Sequence, residues 1–223
     1  MQYQCQCFIL IVVKNLVMNP ELLVEQKPLS ERGQKILTAA QALFLEHGYD
    51  NTSLDMIIRE SGGSRRNIYS EFGNKEGLLL AVVREHVSTQ LNTLLDIDYQ
   101  LSPQEALSQV SFRFMKGFLS ETLIGLFRLV TNIVPSFPEV GQLIFQAGPL
   151  TGCKPISNYL EYLAEQGVLD IDDAQFAAHM LIEMVKSRLH LQAILVPSNS
   201  PSEAQIKQHI EKAVKVFLRA YKV

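Results

Sequence analysis

Apolar residues recur along most of the chain at intervals of three and four positions, which is the spacing of amphipathic helices. The first clear example is 30–47, where Ile36, Ala40 and Phe44 share one face. Prolines and a linker separate the later examples. We predict further helices at about 75–96, 103–119, 121–134, 137–147, 150–166, 172–195 and 202–221. The pattern predicts an all-α protein.

Residues 52–75 predict two short helices joined by a sharp turn. Leu54 and Ile57 give the first helix an apolar face. Gly62 follows it and suits a turn that needs a positive φ, because glycine adopts that conformation at little cost. The second helix then spans 65–72. Such a pair indicates a helix-turn-helix.

The second of these helices has an inward apolar pair, Ile68 and Phe72, and leaves polar side chains on its outer side. Arginine binds guanine, asparagine binds adenine and hydroxyl groups reach phosphates, so this side suits the major groove of DNA. An ordinary helical hairpin with a polar face has the same pattern. The candidate DNA contacts are Arg65, Arg66, Asn67, Tyr69 and Ser70, together with Lys75 at the start of the next helix, where backbone N–H groups suit phosphate.

Three runs of residues within 36–79 carry a family resemblance: ILTAAQALFLEHGYDNTSLDMII, SGGS and NIYSEFGNKEGLL. Their order and spacing resemble the N-terminal domain of the TetR family of bacterial regulators. Two positions depart from the usual pattern, with Ile58 in place of a small alanine and Gly63 in place of valine. The first asks for local repacking, and the second loosens the turn. The stretch 123–149 resembles C-terminal domains of the AefR-like branch.

The resemblance implies two domains after an N-terminal extension at 1–28. A three-helix helix-turn-helix domain would occupy 29–80, and a helical effector-binding and dimerisation domain would occupy 81–223. In the family the hydroxyl that matches Thr52 commonly meets a phosphate, so Thr52 joins the candidate DNA contacts. The predicted helix at 75–96 would link the DNA-reading head to the effector.

Composition and charge narrow the function further. The chain of 223 residues carries a net charge of −3, which argues against non-specific coating of nucleic acid but allows a local basic face. Its 3 cysteines, an odd number, form no disulfide framework and fit a reducing cytoplasm. We expect no cofactor, metal site or membrane span, since Cys5 and Cys7 lack a second ligand cluster and the apolar run Phe8–Val13 is short.

Met18 lies downstream of that apolar run. One hypothesis is that the natural protein starts there and that the preceding residues are a mis-assigned extension. The alternative is an N-terminal arm that packs on the body or touches the minor groove, although no cluster of Arg or Lys supports groove contact. N-terminal sequencing of the native protein separates the two.

The middle of the C-terminal region is rich in aromatic residues at helical spacing, which are most often simply core. The resemblance implies a cavity here for a small-molecule effector, with a few polar groups among apolar walls. His179 lacks partners for a metal site, and Arg128 could equally be a surface group. We predict the lining from Phe112, Met115, Phe118, Phe127, Arg128, Phe145, Tyr159, Tyr162 and His179.

The last two predicted helices each carry an apolar stripe. Two such helices from each subunit would form a four-helix bundle across a two-fold axis, as in the family. A bundle within one chain is the alternative. We predict the dimer interface from Phe176, Met180, Met184, Leu191, Ile206, Ile210 and Phe217.

These features together favour a ligand-responsive transcriptional regulator, a homodimeric repressor that an effector releases from its DNA operator. An α-helical enzyme is disfavoured, because the sequence has no Gly-rich phosphate loop, serine elbow or metal-spaced His/Glu set. A helical adaptor for other proteins is the remaining alternative. It predicts no DNA affinity at low salt.

Overall fold

A computed structural model describes residues 28–150 and 152–223. Within these ranges the chain forms 10 α-helices and no strand, which confirms the all-α prediction. The hypothesis about Met18, the pair Cys5 and Cys7 and nearly all of the predicted extension lie outside the described residues. The helices are α1 (Glu31–His47), α2 (Leu54–Ser61), α3 (Arg65–Phe72), α4 (Lys75–Asn92), α5 (Pro103–Phe118), α6 (Glu121–Ile133), α7 (Pro138–Phe145), α8 (Lys154–Glu165), α9 (Ala174–Leu195) and α10 (Glu203–Ala220), with a π-helical turn at Gln146–Leu150 after α7.

Short polar side chains define where the helices of the head begin. Ser53 accepts a hydrogen bond from the N–H of Met56 at the start of α2, and Asn74 accepts one from Gly77 at the start of α4. Gly62 ends α2 with φ of 67°, a left-handed conformation that favours glycine. These caps satisfy backbone groups that a short helix otherwise leaves unpaired. They explain how α2 and α3, of 8 residues each, persist.

The buried side chains form two clusters. The first cluster contains side chains from the four helices α1–α4, here called the head, and from α6 and α7. It includes Phe44, Ile57 and Ile68 of the head and Leu129 and Val130 of α6. The other joins α5, α8, α9 and α10. Because the first cluster crosses from the helices α1–α4 into α6 and α7, packing couples α2 and α3 to the C-terminal region.

The apolar stripe of α10 faces the interior of its own chain. Ile206, Ile210 and Phe217 are buried and belong to the cluster that α10 shares with α5 and α9. A partner subunit cannot reach them, so their predicted place in a dimer interface is wrong. For α10 the alternative of a bundle within one chain is the one observed.

The stripe of α9 behaves differently. Phe176, Met180 and Leu191 are exposed, and Met184 is half-buried beside the core. Leu195 extends the exposed face towards the end of the helix. The structure therefore leaves the α9 part of the predicted interface open for a partner.

No helix within 28–150 and 152–223 is long and apolar enough to cross a membrane. In the same ranges no group of three or more His, Cys, Asp or Glu side chains could hold a metal ion.

Candidate functional site

Several contacts fix helix α3 against the rest of the head. Ile68, on the inner side of α3, is fully buried. The hydroxyl of Ser30, which caps α1, donates to a carboxylate oxygen of Glu71 on α3. Nη1 of Arg32 donates to the carbonyl oxygen of Gly62 over 2.8 Å, which ties α1 to the turn before α3. These contacts hold α3 in one orientation relative to α1.

The start of α3 is closed by a reciprocal pair of hydrogen bonds. The N–H of Asn67 donates to Oγ of Ser64 over 3.2 Å, and Oδ1 of Asn67 accepts from the N–H of Ser64 over 3.0 Å. The amide oxygen of Asn67 is therefore already occupied. Since bidentate recognition of adenine needs the amide oxygen and the NH₂ together, this arrangement leaves Asn67 only its NH₂ group for a base.

Two arginines begin α3, and they differ in what surrounds them. Arg65 forms a fork with Asp55 of α2, with Nε–Oδ1 at 3.2 Å and Nη2–Oδ2 at 2.7 Å. This hydrogen-bonded contact with the carboxylate raises the pKa of Arg65. Arg66 is exposed and has no ion pair with any residue in the described ranges. Arg66 is thus the guanidinium that is ready to meet DNA without first leaving a partner.

Other predicted contacts lie on the same face. Tyr69 and Ser70 are exposed on α3, one turn along from Arg66. Lys75 begins α4, with Nζ 4.2 Å from the centroid of the Tyr49 ring. Burial lowers the pKa of Lys75, which Asp50 partly offsets. The structure brings these side chains to the side of the head that carries α3.

Thr52 is the exception among the predicted DNA contacts. It is fully buried, and its hydroxyl oxygen lies 3.0 Å from the carbonyl oxygen of Leu43 and 2.8 Å from that of Gly48, to which it donates. A side chain in this position cannot reach a phosphate. Thr52 instead holds the end of α1 to the start of α2, so its predicted hydroxyl contact with phosphate is wrong.

Ile58 and Gly63, the two departures from the usual family pattern, both lie beside the packed core of the head. Ile58 is half-buried against the head cluster. A Cβ added to Gly63 would lie 3.2 Å from Cδ1 of Ile36. Ile36 therefore occupies the space beside Gly63, where the usual valine would carry its side chain.

A cavity of about 470 Å³ lies between α4, α5, α6 and α9 and the turn after α7. Four of the nine predicted lining residues are there: Phe118, Phe127, Phe145 and His179. Phe127 and Phe145 are partly exposed to solvent. A volume of this size and an apolar wall are typical of sites for small organic ligands.

The other five predicted lining residues lie outside this cavity and make other contacts. Met115 is fully buried in the core, and Lys207 covers the ring of Phe112. Nη2 of Arg128 donates to the carbonyl oxygens at the end of α9. Tyr159 and Tyr162 pack on Tyr99, with ring centroids 4.9 and 5.0 Å from it. None of these five residues, Phe112, Met115, Arg128, Tyr159 and Tyr162, lines this cavity, so their predicted place in its lining is wrong.

The sequence prediction missed most of the polar wall. Helix α9 supplies Glu183, Lys186 and His190 besides the predicted His179, at successive spacings of four, three and four residues. That spacing is typical of one helix face, a signal that the sequence does contain. A non-helical φ of 36° at Ser187 interrupts α9 between Lys186 and His190, and all four side chains still line the cavity. Helix α4 supplies His86 and Gln90, and Cys153 precedes α8.

The polar groups of the cavity carry little net charge. Nζ of Lys186 lies 2.6 Å from Oε1 of Glu183, so the cation and the anion neutralise each other. Burial raises the pKa of Cys153 to about 11, which keeps its thiol protonated at neutral pH. Burial lowers the pKa of His86, and burial with the nearby Lys186 lowers that of His190. The imidazoles of His86 and His190 are therefore neutral at neutral pH.

Comparison with known proteins identifies both halves of the chain. Residues 36–82 match the family described as bacterial regulatory proteins, tetR family, and residues 105–223 match the AefR-like transcriptional repressor, C-terminal domain. The repressor AcnR of Corynebacterium efficiens is 38% identical over 68 residues, which cover 30% of this chain and 36% of AcnR. The chain thus aligns with only about a third of that relative's length.

Two solved structures extend the likeness over the whole fold. A TetR-family regulator from Mesorhizobium loti has a TM-score of 0.79 at 24% identity, and the match covers 88% of this chain and 100% of that one. A protein named flavonoid-responsive regulator FrrA has a TM-score of 0.73 at 27% identity, over 86% and 97% of the two chains. With the AefR-like domain matching more than half of the sequence, the chain belongs to the TetR family of bacterial regulatory proteins.

Proposed function

We propose that this protein is a DNA-binding transcriptional repressor that works as a homodimer in the cytoplasm and leaves its operator when a small molecule fills the cavity. The observation that carries the proposal is the exposed face of α3. That helix is clamped to α1 by buried and polar contacts, while Arg66, Tyr69 and Ser70 point away from the core. A rigid helix with exposed hydrogen-bonding side chains suits the major groove.

The roles of the individual side chains follow from their surroundings. Arg66 reads a base, because it is unpaired and stands at the start of α3. Tyr69 and Lys75 hold phosphates, with the N-terminus of α4 beside Lys75. Base reading by Arg65, Asn67 and Ser70 is weaker than that by Arg66. Arg65 must share its guanidinium with Asp55, and Asn67 must share its amide with Ser64.

Dimerisation uses the exposed face of α9. Phe176 and Met180 are exposed apolar side chains before Ser187, where a non-helical φ of 36° interrupts α9, and Leu191 and Leu195 are exposed after it. These four residues are the apolar strip of α9. A two-fold axis beside this strip would pair two heads, and two heads can meet successive major grooves. Val216 of α10 is also exposed, so it is the residue of that helix that can join the interface.

Helix α4 connects the two activities. It begins with Lys75 at the DNA-facing side, and Val83, His86, Val87 and Gln90 further along it line the cavity. A ligand in the cavity therefore acts on the same rigid element that places Lys75. It releases DNA only if it binds more tightly to the arrangement in which the heads are wrongly spaced.

The comparisons support this proposal in outline. The relative AcnR is named a transcriptional repressor, and the solved relative FrrA is named a flavonoid-responsive regulator. Neither name gives the operator or the effector of this chain.

The direct test is fluorescence anisotropy of the purified protein with the DNA that lies upstream of its own coding region. We expect salt-sensitive binding that survives excess non-specific DNA, with two protomers per site. Arg66→Ala is the variant that should lose this preference. Lys35→Ala, which removes a cation from α1 outside the proposed contacts, is its matched control.

A helical adaptor for other proteins is the competing function. The exposed apolar strip of α9 is the feature that favours it, because such a strip also suits a different partner protein. An adaptor would give no DNA binding even at low salt, whereas the proposed regulator would bind weakly to any DNA under that condition.

A further inference from the structure

We propose that the cavity takes an uncharged, mainly apolar ligand with aromatic rings and one oxygen acceptor, and that the ammonium group of Lys186 on α9 binds this acceptor. The proposal rests on the proposed function, in which the cavity is the effector site, and it adds the chemical class of the effector. It also names the side chain that orients the effector.

The ammonium group of Lys186 lies among side chains of the cavity wall. The side chain is 21% exposed, and Nζ lies 5.5 Å from the centroid of the Phe118 ring, which lines the same space. The charge also acts on two other lining groups. Burial lowers the pKa of His190 and Lys186 lowers it further, while burial raises the pKa of Cys153 and Lys186 opposes that rise. The cation is thus available to a ligand that enters the cavity.

Lys186 has hydrogen-bonding capacity that the fold does not use. An ammonium group carries three N–H donors. Nζ donates to Oε1 of Glu183 over 2.6 Å, and it makes no other hydrogen bond within 28–150 and 152–223. Hydrogen bonds from a charged donor are stronger than those between neutral groups. An oxygen atom of a ligand in the cavity is the acceptor that completes this group.

The ion pair with Glu183 decides which charge the ligand carries. Apart from imidazoles, Lys186 and Glu183 are the only charged groups among the described residues that line the cavity. They neutralise each other, so a carboxylate that binds Lys186 must displace the carboxylate of Glu183 or share the cation with it. A carbonyl or hydroxyl oxygen meets no such competition, because it uses the donors that Glu183 leaves free. The wall therefore favours a neutral acceptor.

The rest of the wall suits rings. The rings of Phe114 and Phe118 are stacked with centroids 5.0 Å apart, and the ring of His190 lies 4.6 Å from that of Phe118 and 5.1 Å from that of Phe127. Aromatic side chains arranged in this way favour offset or edge-on contact with another ring. Since Nζ of Lys186 lies over the Phe118 ring, a ligand that packs on these rings brings its oxygen towards the ammonium group.

The test is calorimetric titration of the full chain at neutral pH with three matched probes: the para-ethyl, para-acetyl and para-carboxylate derivatives of biphenyl. The first has no acceptor, the second has a neutral carbonyl and the third has an anion. A purely apolar cavity would prefer the ethyl compound, because burial of a carbonyl without a partner is costly. We expect the acetyl compound to bind most tightly and the carboxylate least tightly.

Two variants at Lys186 assign this preference to the ammonium group. Lys186→Met keeps an unbranched side chain and removes the donors. It should weaken the acetyl compound about tenfold and leave the ethyl compound nearly unchanged. Lys186→Arg retains N–H donors and should recover part of the acetyl affinity.

Lys116→Met is the matched control. Nζ of Lys116 also pairs with one glutamate, at 3.1 Å from Oε1 of Glu203, but Lys116 does not line the cavity. All three probes should therefore bind to this variant as they do to the unchanged protein. Circular dichroism confirms that each variant is folded before titration.

Glu183→Gln tests the part played by the ion pair. The substitution removes the negative charge and keeps the size of the side chain. Lys186 is then free to pair with an anion, so the carboxylate probe should bind about tenfold more tightly than it does to the unchanged protein. The affinity for the ethyl compound should not change.

Any of five results would overturn the proposal: equal affinity for the acetyl and ethyl compounds, tightest binding of the carboxylate, equal loss of the acetyl and ethyl compounds in Lys186→Met, no gain of the carboxylate in Glu183→Gln, or no binding of any probe to the folded protein. Specific DNA binding of the unchanged protein is measured in parallel. If the acetyl compound binds through Lys186 but never releases DNA, the ligand class stands and the proposed effector response fails. If DNA binding is intact and no probe binds, the ligand class fails and the DNA-binding function stands.

Discussion

The head and the cavity region differ in where their unpaired polar groups lie. Around α3 the side chains of Ser30 and Glu71 are hydrogen-bonded to each other, as are Ser64 and Asn67, and the unpaired guanidinium of Arg66 is exposed on the surface. In the cavity wall the imidazole Nε2 atoms of His86 and His179 have no partner within the described parts of the chain. A paired surface keeps its shape before DNA arrives.

Packing shows the same contrast. Ile68 under α3 is fully buried in a continuous core, whereas Ile182 of α9 is buried on one side and faces the cavity on the other. The closely packed head and the cavity region are parts of one chain, and α4 packs against both.

The largest expected effect is a loss of stability when an isoleucine is shortened to alanine in each region. Ile68→Ala should lower the free energy of unfolding by about 2–5 kcal/mol, because it opens a void in a closed core. Ile182→Ala should cost clearly less, since its void merges with space that already exists. Urea unfolding followed by circular dichroism measures both. Equal losses would remove the contrast in packing.

The second effect separates two DNA contacts within the head. Arg66→Ala should cost about 1–3 kcal/mol at one base position and relax the sequence preference there. Lys75→Ala should weaken binding to every sequence alike and lower the slope of log K against log salt by about one. Anisotropy titrations over a series of operator variants and salt concentrations test the division. Uniform loss on all operators for both variants would contradict it.

The third effect concerns Thr52, which the sequence places at a phosphate and the structure places in the core. Thr52→Val should destabilise the protein by about 1–3 kcal/mol, because the carbonyls of Leu43 and Gly48 lose a buried donor. The salt slope of DNA binding should stay as in the unchanged protein. Lys75→Ala serves as the comparison, with the slope altered and the stability nearly unaltered. A lower slope for Thr52→Val would restore a phosphate contact.

The smallest effect is a dependence of stability on pH that arises in the cavity. Burial lowers the pKa of His86 and of His190 below the ordinary value of 6.5. The unfolded chain therefore binds protons before the folded one, so the free energy of unfolding should fall as the pH drops below about 6.5. His86→Phe should reduce this fall, because it removes one of the two half-buried imidazoles. Thermal unfolding between pH 5 and 8 measures the difference.

The head could be predicted from the sequence because its signals are local. Helix α3 and its caps lie within one short run, and the pairing of Ile68 with Phe72 already says which side faces inward. What the sequence did not reveal is how side chains share their bonds across elements. The contact of Arg65 with Asp55 and the burial of Thr52 both depend on how α1, α2 and α3 pack.

The cavity was harder to predict because its wall comes from several helices. Large apolar residues at helical spacing look the same whether they line a space, as Phe118 does, or fill a core, as Met115 and Tyr159 do. The polar row of α9, from His179 to His190, was visible in its spacing. The stripe of α10 gave no sign of whether its partner was another subunit or its own chain.

The central claim is that two clamped heads read a defined DNA sequence. The most direct measurement is selection of bound duplexes from a random pool by the full chain, followed by sequencing. We expect a nearly palindromic motif whose half-sites lie one helical turn or a multiple of it apart. In the Arg66→Ala variant, one position in each half-site should lose its base preference. Recovery of no enriched motif, with binding equal on all sequences, would contradict it.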